Sequence, residues 1–203
     1  MPESTYGLTP RELRTLRSLK TPARIQHFIN DLPYHNADTA WSPRRVLRER
    51  TAHCLEGALL AAAALRVNGF PPLIMDLEGI QDSDHVLAVY RVDGCWGTIA
   101  KSNFSGLRFR EPVYRNLREL AMSYFDDYFN YRGERTLRAY CRPINLARFD
   151  KQNWMTSEKS VWFIPQLLLE VPHIPLITQK QARRLTRVDA RCYQAGTLGG
   201  VRH

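Results

Sequence analysis

The sequence predicts an α+β fold: a buried central helix packed on an antiparallel sheet, with helical extensions at both ends of the chain. Three observations carry this. Between Leu55 and Leu65 the chain is almost wholly apolar and alanine-rich, and a helix without a polar face must be sheathed by other elements. After Gly69 the pattern changes from helical to alternating and β-branched. Asp93-Gly94 then joins two alternating runs, a strong hairpin signal because both central residues of the tight turn need positive φ.

Taken in order, Thr9-Pro10-Arg11-Glu12 has the form of a capping box with proline at the first helical position, opening a helix through about Leu19. Thr21-Pro22-Ala23 repeats the signal and starts a second helix through Phe28, Ile29 and Leu32. Ser42-Pro43 starts a short third, with Val46 and Leu47 inward and Arg44, Arg45, Arg48 and Arg50 outward. Between the second and third, Tyr34 to Trp41 is polar and turn-rich, placed to pass close to the start of the central helix. Thr51 is the expected cap of that helix and Asn68-Gly69 its left-handed stop. Pro72 to Leu77, His85 to Val92 and Cys95 to Lys101 read as strands, with Glu78 to Asp84 a loop. Pairing about Asp93-Gly94 sets Val92 opposite Cys95 and, carried down the strands, His85 opposite Ser102.

Beyond the hairpin, Ser105 to Tyr114 reads as a polar, arginine-rich connection, Leu117 to Phe129 as an amphipathic helix, and Thr136 to Cys141 as a strand ended by Pro143. Residues 1–145 are expected to form the main domain. Residues 146–203 form an extension packed on it: a tryptophan-containing loop, an apolar segment from Val161 to Val171, a basic helix from about Gln179 to Tyr193, and a frayed tail from Thr197.

A length of 203 residues fits one such domain with its extension. Met1 to Gly7 has no secretory pattern, and Leu55 to Leu65 is too short for a bilayer and contains Glu56. A cytoplasmic protein with no membrane partner is expected. Cys54, Cys95, Cys141 and Cys192 show no C-x-x-C pair, so free thiols are expected, and no metal or cofactor signature is present. The net charge of +9 is spread over Arg11 to Arg24, Arg44 to Arg50, Arg132 to Arg148 and Lys180 to Arg191. That spread favours solvated faces over a nucleic-acid surface.

The chemistry centres on Cys54, in the first turn of the central helix. Unpaired N–H groups and the helix dipole favour a thiolate there, and the Cys54 N–H is a natural oxyanion donor. A thiol nucleophile needs a base, best a histidine. His53 adjoins Cys54 but projects about 100° away on a helix; His85, opening a buried-looking strand, is the better partner. The plain alternatives are a packed core cysteine and a hydrogen-bonded structural histidine. Asp84, Asp126, Asp127 and Cys95 fall aside as solvated or wrongly placed.

The cysteine-started apolar helix ending in Leu65-Arg66-Val67-Asn68-Gly69-Phe70-Pro71-Pro72, a strand, and then His85-Val86-Leu87-Ala88-Val89-Tyr90-Arg91-Val92-Asp93-Gly94-Cys95-Trp96 together resemble the transglutaminase-like superfamily of papain-like thiol enzymes. The resemblance covers about residues 40 to 105. It implies a papain-like core, Cys54 as nucleophile and His85 as general base and acid. The family's orienting aspartate falls on Ala100 in this chain, so Asn103, favoured because papain-like relatives use an asparagine, or Ser102 stands in. Trp41 and Trp96 are the candidates for lining the substrate cleft. The implied activity is a cofactor-free thiol hydrolase or acyl transferase acting on a peptide or other amide-containing substrate. The alternative is a degenerate module that binds a protein or polyanion, motivated by Ala100 and the charge of +9.

Overall fold

The computed structural model describes residues 5–200. The first three helices, α1 (Pro10–Ser18), α2 (Pro22–Asn30) and α3 (Pro43–Glu49), share one N-terminal solution. In each a Thr9, Thr21 or Ser42 side chain accepts a backbone N–H of the first turn, and proline fills a first-turn position whose N–H would have no helical partner.

The central helix α4 runs Cys54–Val67 and is buried from Leu55 through Leu65. Its N-cap is His53, a correction to the expected Thr51. Thr51 instead donates its hydroxyl to the Pro33 carbonyl at 2.9 Å, and the Ala52 N–H bonds the same oxygen at 3.2 Å. Residues 51–53 are thereby held extended, so the helix starts at Cys54 itself. At the other end Gly69 takes φ +89° and the Phe70 N–H returns to the Leu65 carbonyl. The positive φ suits glycine.

One face of α4 packs on strands β1 (Leu73–Gly79) and β2 (His85–Val92), while α1, α2 and α3 cover the rest. With β3 (Cys95–Ile99), β4 (Arg110–Tyr114), β5 (Leu137–Cys141), β6 (Ile144–Asn145) and β7 (His173–Pro175), these strands form a seven-stranded antiparallel sheet. Its order is β4-β3-β2-β1-β5-β7, with β6 also pairing β1. The hairpin has the expected register, Val92 opposite Cys95 through Ala88 opposite Ile99, about a turn with φ +48° at Asp93 and +80° at Gly94.

The ladder between β2 and β3 ends at Ile99, short of the expected Lys101, because α2 captures the chain there. The Gln26 side chain bonds both the N–H and the carbonyl of Ala100, each at 2.9 Å. The buried Lys101 ammonium caps the carbonyls of Ile29 and Leu32 at the end of α2. Gly57 admits this packing, since any side chain there would collide with Lys101 Cβ.

Elsewhere the elements are shorter than expected. Helix α5 spans only Leu117–Met122; the chain then turns, burying Tyr124 and Tyr128 without helical continuation. The supposed connection before it contains edge strand β4, with alternating exposure at Glu111 and Val113. The apolar segment forms helix α6 (Phe163–Glu170). The expected last helix is two, α7 (Gln179–Ala182) and α8 (Ala190–Thr197), separated where the Val188 N–H bonds the Gly133 carbonyl and Asp189 caps the new start. Thr197 therefore closes a helix instead of starting a tail, and residues 201–203 lie outside the described residues. No helix among the described residues is long and apolar enough to cross a membrane, and all four cysteines are free.

Candidate active site

Because α4 begins at Cys54 and β2 at His85, the packing of that helix on that strand brings the two residues to one cavity of about 130 Å³. Cys54 Sγ lies 3.9 Å from the Asp84 carbonyl oxygen and also receives the Val86 N–H. The sulfur thus sits against the backbone that flanks His85.

His85 is buried, with the rings of Tyr124 and Tyr128 edge-on at 6.5 and 6.4 Å. Its Nε2 is 2.8 Å from the Leu107 carbonyl oxygen. A carbonyl only accepts, so Nε2 carries the proton and Nδ1 keeps the lone pair that a general base requires. Burial pushes this imidazole down to about 4, aided by the Arg110 charge and opposed by the Leu107 bond.

Burial likewise pushes the Cys54 thiol up, a correction to the lowered value expected at a helix start. The lowering contributions are present, from the N–H of Val86 on β2 and from the helix-start N–H groups of Leu55 and Cys54 itself, but desolvation outweighs them, and the Asp76 carboxylate adds to the rise. The resting pair is a neutral thiol and a neutral imidazole. The Tyr34 hydroxyl lies against the Cys54 N–H, so an oxygen already occupies the position an oxyanion would take.

Asn103 and Ser102 line this cavity, but the His85 bond goes to neither. The Asn103 amide donates to the Tyr131 hydroxyl at 3.1 Å, and the Ser102 hydroxyl accepts the Phe104 N–H at 3.0 Å. The orienting acceptor is the main-chain carbonyl of Leu107, which no side-chain motif could have signalled. Arg110 fixes the loop that presents it. Its guanidinium donates to the carbonyls of Gly106 at 2.9 Å, Phe109 at 3.1 Å and Ser123 at 3.0 Å, and pairs with Asp127 at 3.2 Å.

No family model matches the chain, and no curated protein is significantly similar to it.

Trp41 and Trp96 are not among the residues lining the cavity. Trp96 is the second residue of β3, near the hairpin end and opposite Arg91, about 20 Å along β2 from His85 at strand rise. Trp41 packs against His35 at 4.8 Å with the rings tilted by 35°, and the Arg45 guanidinium lies 4.7 Å from its ring. The outer wall is aromatic: Phe104 packs on Phe129 at 5.4 Å and on Tyr131 at 5.3 Å. Helix α8 braces this wall, the Ser105 N–H bonding the Gly196 carbonyl at 2.8 Å and its hydroxyl the Ala195 carbonyl at 2.6 Å.

A second cluster, unnoticed in the sequence, lies on the opposite side of the same helical turn. The Glu56 side chain is fully buried. Oε1 accepts the Thr39 hydroxyl at 2.7 Å and the Trp41 N–H at 3.0 Å, and Oε2 lies 2.7 Å from His35 Nε2. His53 Nε2 is 2.9 Å from the Thr39 carbonyl. The only legible trace was a glutamate inside an apolar helix three residues after a histidine; the 21 residues from His35 to Glu56 carry no spacing rule.

Proposed function

We propose that this chain is a thiol-dependent acyl-transfer enzyme with a papain-like, transglutaminase-like core, most simply a hydrolase of amide or peptide-like bonds working in the cytoplasm, where thiols stay reduced. The observation that carries the proposal is that Cys54 Sγ meets the Asp84 carbonyl and the Val86 N–H, the backbone on either side of His85, in a cavity that His85 also lines with its tautomer fixed by Leu107. A packed core cysteine needs no such partner.

In the proposed reaction the substrate carbonyl oxygen replaces the Tyr34 hydroxyl at the Cys54 N–H. The thiol proton passes to His85 Nδ1 as sulfur bonds to the carbonyl carbon, and the tetrahedral oxyanion is held by the Cys54 N–H. His85 then protonates the leaving amine as the C–N bond breaks. Water, deprotonated by the same imidazole, opens the thioester and returns the proton to sulfur. Leu107 holds the tautomer without a charge, a role that the family assigns to a carboxylate or amide.

The test is the labelling rate of each cysteine by an acrylamide or vinyl sulfone, read by mass spectrometry in wild type and His85→Ala. Cys54 is expected to react faster than the buried Cys141 and to slow in the variant. If Cys54 labels no faster than Cys141, or is indifferent to His85, the reading fails. One observation favours a second reading, a binding module that kept the fold without the chemistry: burial leaves both site groups neutral and Tyr34 covers the oxyanion position. Inert Cys54 would support it.

A further inference from the structure

We propose that His35, His53 and Glu56 form a binding site for a divalent transition metal, zinc by the chemistry of its donors. The inference stands apart from the acyl-transfer reading, since none of the three lines the Cys54 cavity.

Two imidazoles and one carboxylate are a donor set that zinc takes, with bonds of about 2.0–2.2 Å, which in tetrahedral geometry separates ligand atoms by ~3.3 Å. Here the ligating atoms all lie within 4.8 Å of one another. His35 Nε2 is 2.7 Å from Glu56 Oε2, and His53 Nε2 is 3.6 Å from Glu56 Oε1. The two rings are stacked, with centroids 5.2 Å apart and 20° between planes; because a ligated metal lies in the plane of each imidazole, one ring has to turn about its side-chain torsions for both Nε2 lone pairs to meet one centre. Shifts of a few tenths of an ångström to about one ångström bring all three to metal distance.

The surroundings are those of a supported ligand set. The Thr39 hydroxyl and the Trp41 N–H both hold Oε1, fixing the Glu56 carboxylate and leaving Oε2 to His35, while His53 Nε2 lies on the Oε1 side at 3.6 Å. Trp41 lies against the outer His35 ring at 4.8 Å. The histidines are partly open, at 18% and 14% side-chain exposure, while Glu56 is closed, so an ion has a path in and a dry wall behind it. To bind, each imidazole moves its Nε2 proton to Nδ1 or to solvent, and the freed lone pairs replace the present bonds to Glu56 and Thr39. Three protein ligands leave one position for water.

The experiment uses chelator-treated full-length protein titrated with Zn²⁺ by calorimetry, and separately with Co²⁺ by absorption spectroscopy. One ion per chain is expected. Co²⁺ should show tetrahedral d–d bands without the sulfur-to-metal charge transfer that binding at Cys54 or another thiol would give. His35→Ala should weaken Zn²⁺ by at least about 100-fold, beyond what loss of a supporting partner costs. His35 is a loop residue and its loss need not unfold the chain; should it do so, Cys54→Ser, which must keep full affinity, decides instead. Absence of stoichiometric binding, a thiolate charge-transfer band, or undiminished affinity in His35→Ala overturns the proposal.

Discussion

The first turn of α4 carries two polar constellations that are built in opposite ways. On one side Cys54 and His85 are placed by main-chain groups: the Asp84 and Leu107 carbonyls and the Val86 N–H. On the other side Glu56 is held by side chains, His35 and Thr39, with help from the Trp41 N–H. Groups positioned by backbone can be deleted with loss of chemistry while the fold persists. A buried carboxylate that gathers several donors from a loop is itself part of the fold, and its removal leaves those donors unpaired.

The largest expected effect tests the chemical side. Under the acyl-transfer reading, His85→Ala should lower turnover of any amide substrate by about 10²- to 10⁴-fold, the usual contribution of a positioned general base. The folded state should survive, since the substitution strands one carbonyl, at a cost of about 1–3 kcal/mol. Circular dichroism and labelling kinetics on the same samples separate the two. A variant that unfolds, or one that keeps its turnover, would erase the contrast drawn between the two sides.

Next in size is the structural side. Glu56→Ala leaves the Thr39 hydroxyl, the Trp41 N–H and His35 without their acceptor in a buried setting and opens a cavity beneath the 34–41 loop. We expect a loss of about 3 kcal/mol or more, read as a lower midpoint in urea. Glu56→Gln, which keeps one acceptor oxygen, should recover part of it. Equal stability of wild type and Glu56→Ala would show the carboxylate to be dispensable to the fold.

Legibility in the sequence follows the same division. Elements announced by local chemistry were readable: three Ser/Thr-Pro caps, the alanine-rich helix, and the Asp93-Gly94 hairpin with its register. Cys54 in the first turn of the helix and His85 at the start of its strand were legible as positions, and the structure brings both to one cavity. Features decided by distant contacts were not legible. Strand β7 is three residues long and exists because it pairs with β5. The last helix breaks because Val188 bonds Gly133, not because its own residues resist helix. The orienter of His85 is a carbonyl on a loop fixed by Arg110, and a carbonyl has no letter in the sequence. Ser102 and Asn103 looked suitable by extrapolating the hairpin past Ile99, where Gln26 and Lys101 draw the chain onto α2 instead.

That capture offers a smaller, pH-dependent test. Burial, with the Arg108 charge beside it, pushes Lys101 down to about 8 from 10.5. Between those values the folded protein binds fewer protons than the unfolded chain, so this residue adds stability as pH rises through the window and costs stability below it. The slope should stay under the one-proton limit of about 1.4 kcal/mol per pH unit. Buried tyrosines, whose values burial raises, act in the opposite direction at the alkaline end. The quantity to measure is therefore the difference between wild type and Lys101→Met in urea midpoint at pH 7.5 and 9.5. It should favour wild type more at the higher pH. No change in the difference would mean that Lys101 is solvated in solution and that the grip of α2 on the end of β3 is looser than the structure shows.

The smallest expected effect is the most direct check on the orienting role. If Leu107 alone holds the His85 tautomer, Asn103→Ala and Ser102→Ala should change the labelling rate of Cys54 by no more than about 2-fold, the size of an ordinary change outside a structural network. Arg110→Ala should slow it further than either, because the loop bearing Leu107 loses its bonds to Gly106, Phe109 and Ser123 together. Arg110 also lowers His85 by its charge, so its removal should shift the acid limb of the labelling profile to higher pH, a change that mere loosening of the loop would not produce. Were Asn103→Ala the slow variant and Arg110→Ala the silent one, the amide would be the true orienter, reached only when the cavity opens, and the backbone-held picture of the chemical side would have to give way.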